Sequence, residues 1–149
     1  MYQFLLFLHV FAVIAMLGPT FALPAFIKLR GDPPSPVILQ AENMIGRFAT
    51  WGLVVILVTG IGLISESPAV KGRFGDAHWL HLAIALFVVL AGLATGFALP
   101  RTRQALRAAE AADGTAVRKL LDPLDKVVGP ILAVLTAVIV YLMLAKPDF

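Results

Sequence analysis

Charged residues in this chain fall into short clusters separated by long stretches that contain none. Residues 2–27 hold no Asp, Glu, Lys or Arg, and neither do residues 48–65, 77–100 and 127–145. A helix needs about 20 apolar residues to cross roughly 30 Å of hydrocarbon, and each stretch is close to that length. None shows the apolar–polar alternation of a barrel strand, so helices are the spanning structure to expect. The pattern predicts an all-α integral membrane protein: one membrane domain over residues 1–149, built as a four-helix bundle. Residues 28–47 and 101–126 are the two longer loops, and residues 66–76 form a short Gly/Pro-punctuated link.

Punctuation within the pattern sets boundaries. Gly31-Asp32-Pro33-Pro34 ends the first helix, and Ser35-Pro36 has the form of an N-cap with proline at the first helical position. The second helix is therefore expected to start well before its span. Residues 101–112 are rich in Ala and Arg and should continue the third helix past a kink at Pro100, with Asp113-Gly114 ending it. Asp122-Pro123, with Asp125 three residues after Asp122, reads as the capped start of the fourth helix. Gly18-Pro19 predicts a kink in the first. The first stretch lacks a preceding basic residue and a small-x-small cleavage pattern, which favours a retained helix over a signal peptide.

The spans also echo one another. Phe7-Leu8-His9 matches Trp79-Leu80-His81 in type, and Phe21-Ala22-Leu23-Pro24 matches Phe97-Ala98-Leu99-Pro100. Gly52 with Thr59 parallels Gly129 with Thr136 at the same spacing. This is the pattern of two tandem helical hairpins related by an axis along the membrane normal. Chance similarity between Leu/Ala/Phe-rich stretches is the alternative. Small residues at i, i+4 spacing (Gly92 and Gly96; Gly129, Ala133 and Ala137) and the pair Gly52 and Gly60 are expected at internal helix contacts, ahead of a dimer interface.

Composition narrows the class. The chain is 60% hydrophobic and 14% charged, with mean hydropathy +0.91, which excludes disorder and most soluble enzymes. Cysteine is absent, so disulfides, thiol chemistry and Cys-based metal sites are excluded. The net charge of +3 is no argument for nucleic acid, because the basic residues crowd into particular loops. Lys28, Arg30, Arg47, Arg101, Arg103, Arg107, Arg118, Lys119 and Lys126 lie on one side of the predicted membrane. Only Lys71, Arg73 and Lys146 lie on the other. By the positive-inside rule the two longer loops are cytoplasmic and both termini are outside.

Few polar residues can carry chemistry. His9, His78 and His81 all fall near the outer side, His9 and His81 at similar depth. A histidine inside a span is costly and marks a candidate site. Two imidazoles facing across a bundle suit haem b, with Lys71 and Arg73 placed to hold its propionates. A copper role is the weaker metal reading, since the four methionines form no cluster. The bland alternative gives these histidines interfacial or interhelical hydrogen bonds only. No span contains an acidic residue, which argues against a carboxylate-driven carrier, and no catalytic motif is present. Two functional classes follow. One is a non-catalytic structural or accessory subunit, in a homodimer or larger membrane complex; the other is a redox cofactor-binding membrane protein using His9 and His81.

Leu8-His9-Val10 with Gly18 downstream, Arg47 leading into the second helix, Thr59-Gly60 with Gly62, and Trp79-Leu80 resemble a bacterial integral membrane family, domain of unknown function 2269. The resemblance spans nearly the whole chain and implies a four-helix protein of the bacterial plasma (inner) membrane, with no established activity. The chain is more loosely similar to copper-resistance D-type and protoporphyrinogen-oxidase J-type membrane proteins. It carries Leu17-Gly18-Pro19 where a Trp-x-Gly stands in many such proteins.

Cysteines introduced at Ala69 and Ala111 should label with impermeant maleimide from opposite sides of the membrane. Labelling of both from one side would overturn this topology.

Overall fold

Prolines inside the apolar stretches decide where the helices depart from regular α geometry. The computed structural model describes residues 1–67, 70 and 74–146. Among these there are four long helices: α1 (Tyr2–Leu29), α2 (Pro36–Glu66), α3 (His78–Glu110) and α4 (Gly114–Ala145). A single 3₁₀ turn, Phe74–Asp76, precedes α3, and the described residues include no strand. All four helices are long and apolar enough to cross a membrane.

Three of them contain a widened, π-helical turn: Val13–Leu17 in α1, Leu93–Ala98 in α3 and Leu124–Val128 in α4. Each ends two residues before a proline (Pro19, Pro100, Pro130). A proline ring clashes with the carbonyl four residues back, here that of Ala15, Gly96 or Lys126. Each of those carbonyls lies within the widened turn, which makes room for the ring. The residue before the proline then donates five residues back in two cases: Leu99 N–H to Ala94 O and Gly129 N–H to Leu124 O. In α1 the chain tightens again over Gly18–Ala22 into a 3₁₀ turn. The Phe-Ala-Leu-Pro echo thus does not extend to geometry. The Phe-Ala of its first copy lies in a tight turn and that of its second in a wide one.

The third helix continues past Pro100 to Glu110, as its composition predicts. It ends in a Schellman motif: Ala112 takes the left-handed conformation at φ 58°, and Asp113 N–H bonds Ala108 O at 2.9 Å. The fourth helix does not begin at Asp122-Pro123, where the sequence pattern puts its cap. The start of α4 is Gly114, capped by Asp113 Oδ1 accepting from Ala116 N–H at 2.9 Å. Asp122-Pro123 lies inside the helix, and Asp122 instead accepts from Lys126 one turn on. The expected 101–126 loop is therefore two helix ends and a turn. The 28–47 loop likewise shrinks to a connector between Leu29 and Pro36. Ser35 occupies the N-cap position of α2, with Pro36 first in the helix, though its side chain makes no cap bond.

The chain packs as two hairpins. In the first, α1 lies along α2, and glycines of α2 receive α1 side chains: Met16 on Gly52, His9 on Gly60 and Leu5 on Gly62. In the second, α3 packs along α4. Among the described residues no atom beyond their own helix backbone lies within 4 Å of the place a Cβ on Gly92 or Gly96 would occupy, and Gly129, Ala133 and Ala137 are exposed. These stripes are not the internal contacts that their spacing suggests.

The hairpins meet at the connector end. A buried cluster there consists of Leu39, Ala105, Val117, Leu121, Leu124 and Val128. Leu39, 1% exposed, is its one member from the first hairpin and fits as a knob into a hole made by the second. Burying one leucine stabilises by about 1.5–3 kcal/mol. At the opposite end Val70, Ala77 and Leu80 pack together with Ile64.

Gly52 and Gly92 separate these packing environments. A Cβ on Gly52 would stand 2.4 Å from Met16 Cβ, so Gly52→Ala should cost about 1–3 kcal/mol of overpacking strain. Gly92→Ala should leave stability unchanged or raise it, as helix propensity favours alanine by about 1 kcal/mol. Unfolding of the purified variants in detergent measures both.

Candidate functional site at the joint of the hairpins

The sequence-predicted site residues fall in two separate places. His9 is half-buried on α1 against α2, with Nδ1 2.9 Å from Thr59 Oγ1. The Thr59 hydroxyl donates to Val55 O at 2.7 Å, so the imidazole donates from Nδ1 and its Nε2 carries the free lone pair. His81 packs edge-on against Phe74, with centroids 4.7 Å apart, and His78 lies beside it, exposed, at 6.4 Å. The His81-bearing part of α3, His78–Gly92, makes no more than marginal contact with α1, so no packing seam joins His81 to His9. Lys71 and Arg73 lie outside the described residues. Among the described residues no group of three or more His, Asp or Glu side chains is arranged to hold a metal ion.

The concentrated chemistry sits at the other end. Arg30 follows α1 directly, and its carbonyl accepts from Ser35 N–H at 2.7 Å, closing the connector into a tight loop. Its side chain is buried between α2 and α4. Nε donates to Glu42 Oε1 at 2.7 Å and Nη2 to Glu42 Oε2 at 2.6 Å, a bidentate pair within the first hairpin. Nη1 donates to Asp125 Oδ2 at 2.5 Å, reaching the second hairpin. Arg30 and Glu42 are 8% and 4% exposed, whereas the Asp125 side chain keeps 22% of its surface.

One guanidinium therefore serves two carboxylates. Burial by itself lowers the Arg30 pKa. The hydrogen bonds and charges of Glu42 and Asp125 outweigh it and hold the group above its ordinary value. Arg30 stays charged throughout the working pH range. A bidentate guanidinium–carboxylate fork is the strongest form of such a pair. Two further pairs flank it, Arg118 with Asp32 across the hairpins and Lys126 with Asp122 within α4. Their side chains are at least 60% exposed, and surface pairs contribute little. Between them lies an open cleft of about 270 Å³, lined by Ile27, Arg30, Asp32, Arg118, Leu121 and Asp125 among others. Its walls carry both signs of charge.

The triad escaped the sequence reading because all three members lie outside the uncharged stretches. Arg30 entered only the loop charge count, and Asp125 was assigned to a helix cap. A signal was present in α2. Leu39, Glu42, Ala49, Leu53 and Ile56 follow helical spacing on its buried face, which puts one carboxylate in an apolar stripe. A carboxylate there requires a buried cation.

Comparison with protein-family models, with curated proteins and with solved structures finds no match to this chain.

Replacing Glu42 alone with leucine takes the bidentate partner from a buried guanidinium and leaves it only the single bond to Asp125, and a cost of about 3 kcal/mol is expected. The triple variant Arg30→Met, Glu42→Leu, Asp125→Leu removes all three charges and should recover most of that loss. Unfolding in detergent distinguishes them. A triple variant no more stable than Glu42→Leu would show that packing, and not charge, sets the penalty.

Proposed function

We propose that the chain is a multi-pass protein of the bacterial plasma membrane, with both termini outside and the connector end cytoplasmic. In this reading it is a non-catalytic structural or accessory subunit of a homodimer or larger membrane complex. One observation carries it: the apolar stretches are left largely uncovered. At most 28% of any stretch is buried within the chain, and in α1, α3 and α4 the share is 6–11%. Lipid covers such a surface. The open Gly92, Gly96, Ala133 and Ala137 positions additionally let another helix approach closely, which drives association where water supplies no force.

The protein purified in mild detergent should then run as an assembly heavier than the 16.0 kDa chain by light scattering. Gly92→Ile with Gly96→Ile should reduce it to the single chain. A wild-type protein that is monomeric in both membranes and detergent would overturn the subunit reading.

A second reading, a redox cofactor on His9, draws on the state of its ring. An imidazole tied down through Nδ1–H presents Nε2 as a ligand, the arrangement that haem iron uses. A Soret band that shifts with dithionite and disappears in His9→Ala would support it. A featureless visible spectrum from protein expressed with haem supplied would end it.

A further inference from the structure

We infer that the seam between α2 and α3 seats one anionic phospholipid, its phosphate held by Arg47 and Arg103 and an acyl chain along the apolar face beyond them. The inference rests on the membrane placement proposed above, and on neither the subunit nor the cofactor reading.

The charges of the connector end are divided between two sides. Where α1 meets α4, each carboxylate of the cluster has a cation: Glu42 and Asp125 share Arg30, Asp32 has Arg118 and Asp122 has Lys126. On α2 and α3, Arg47, Arg103 and Arg107 are exposed and enter no ion pair among the described residues. Glu110, the single acid of α3, lies at its last residue, exposed and also outside those pairs.

Register brings the arginines together. The antiparallel helices α2 and α3 pack tightly over residues 99–110. A Cβ on Gly46 would stand 3.4 Å from Leu99 Cδ1, and Leu39 is buried with Ala105. Arg47 lies one residue outward of Gly46, and Arg103 four residues from Leu99 toward the connector end. At 1.5 Å per residue they are about 7–8 Å apart along the axis, so both long side chains can converge on one phosphate. Arg107 follows one turn later. The arginines also share a side. One flank of α2 goes to α1 through Gly52 and Thr59, and one flank of α3 goes to α4 through Ala105. The Arg30–Asp125 bond joins α1 to α4, so both lie on one side of the seam. At roughly 100° per residue, Arg47, Arg103 and Arg107 turn to the other.

Depth and the surface beyond select a lipid over a free anion. Arg47 directly precedes the uncharged residues 48–65, and Arg103 lies three residues past the uncharged residues 77–100. Both stand at the level of the headgroups, where basic residues attract anionic lipid. Outward of Leu99 the two helices part. Leu93–Ala98 touches α2 sparsely and His78–Gly92 no more than marginally, until Ile64 reaches the outer cluster with Leu80. Over this stretch Trp51, Val54, Val58 and Ile61 continue the Arg47 stripe of α2, and all are exposed. A cationic mouth opening on an apolar groove is complementary to a phosphate that carries a hydrocarbon tail.

Native mass spectrometry of the detergent-purified protein, titrated with phosphatidylglycerol or phosphatidylcholine of the same chains, tests the site. The parent should retain one phosphatidylglycerol at least tenfold more tightly than phosphatidylcholine. Arg47→Gln with Arg103→Gln should weaken its binding about tenfold or more, each cation near an anionic lipid counting about fivefold. Lys28→Gln with Lys119→Gln removes the same charge from exposed positions of α1 and α4, and should change it little. Glycerol phosphate, which lacks chains, should not displace the lipid. A parent without preference would overturn the site whether or not the variants fold. So would equal losses in the two double variants, which would show diffuse charge attraction, or displacement by glycerol phosphate, which would show an anion site without a chain groove. Recovery of the protein from cells without detergent, in the soluble fraction, would instead overturn the membrane placement.

Discussion

A buried guanidinium cannot discard its charge. Lysine, histidine and carboxylates can neutralise in a dry site, but arginine must bring its counter-charges with it. Placing Arg30 at the end of α1 therefore requires a buried carboxylate, which Glu42 of α2 supplies, and the remaining Nη1 donor takes Asp125 of α4. That requirement fixes how far the connector folds back, which face of α2 turns inward, and where the second hairpin docks. The hydrophobic contribution of Leu39 acts a few residues away on the same face, so apolar and ionic terms reinforce one geometry.

The second organising influence is steric. Proline inside an apolar helix removes one hydrogen bond and crowds another, and this chain answers with the same adjustment three times. The widened turn precedes Pro19, Pro100 and Pro130 alike, whatever the surrounding residues. Because α3 and α4 carry theirs at touching positions, the two helices depart from straightness together and remain packed on both sides of the break.

Much of this was legible in the sequence. The uncharged stretches marked four helices, Pro36 marked the start of α2, and the composition of residues 101–112 carried α3 beyond its span. What misled was the equation of charge with loop. Asp122-Pro123 has the residues of a cap, yet Asp113 already caps α4 nine residues earlier, and the charged segments between are helix. The small-residue stripes misled for a different reason. Spacing shows that a helix surface is smooth, but not which neighbour, if any, lies against it. Gly52 meets Met16, whereas Gly92 meets no neighbouring helix among the described residues. The histidines were legible as residues of interest, but their partners were not. Thr59 lies fifty positions from His9, and no local pattern announces that bond. The triad was the least legible, since its members are contributed by three segments and converge only in the fold.

The separations within that triad bear on how the chain is made. Arg30 and Glu42 are 12 positions apart, while Arg30 and Asp125 are 95 apart. On a ribosome that delivers the chain in order, the near carboxylate emerges almost at once and the distant one only after two further helices. The first hairpin thus holds both partners of the Arg30–Glu42 fork before the second hairpin is made. It waits in that state for the remainder of synthesis, and the last helix arrives at a partner whose charge is masked but not yet fully claimed.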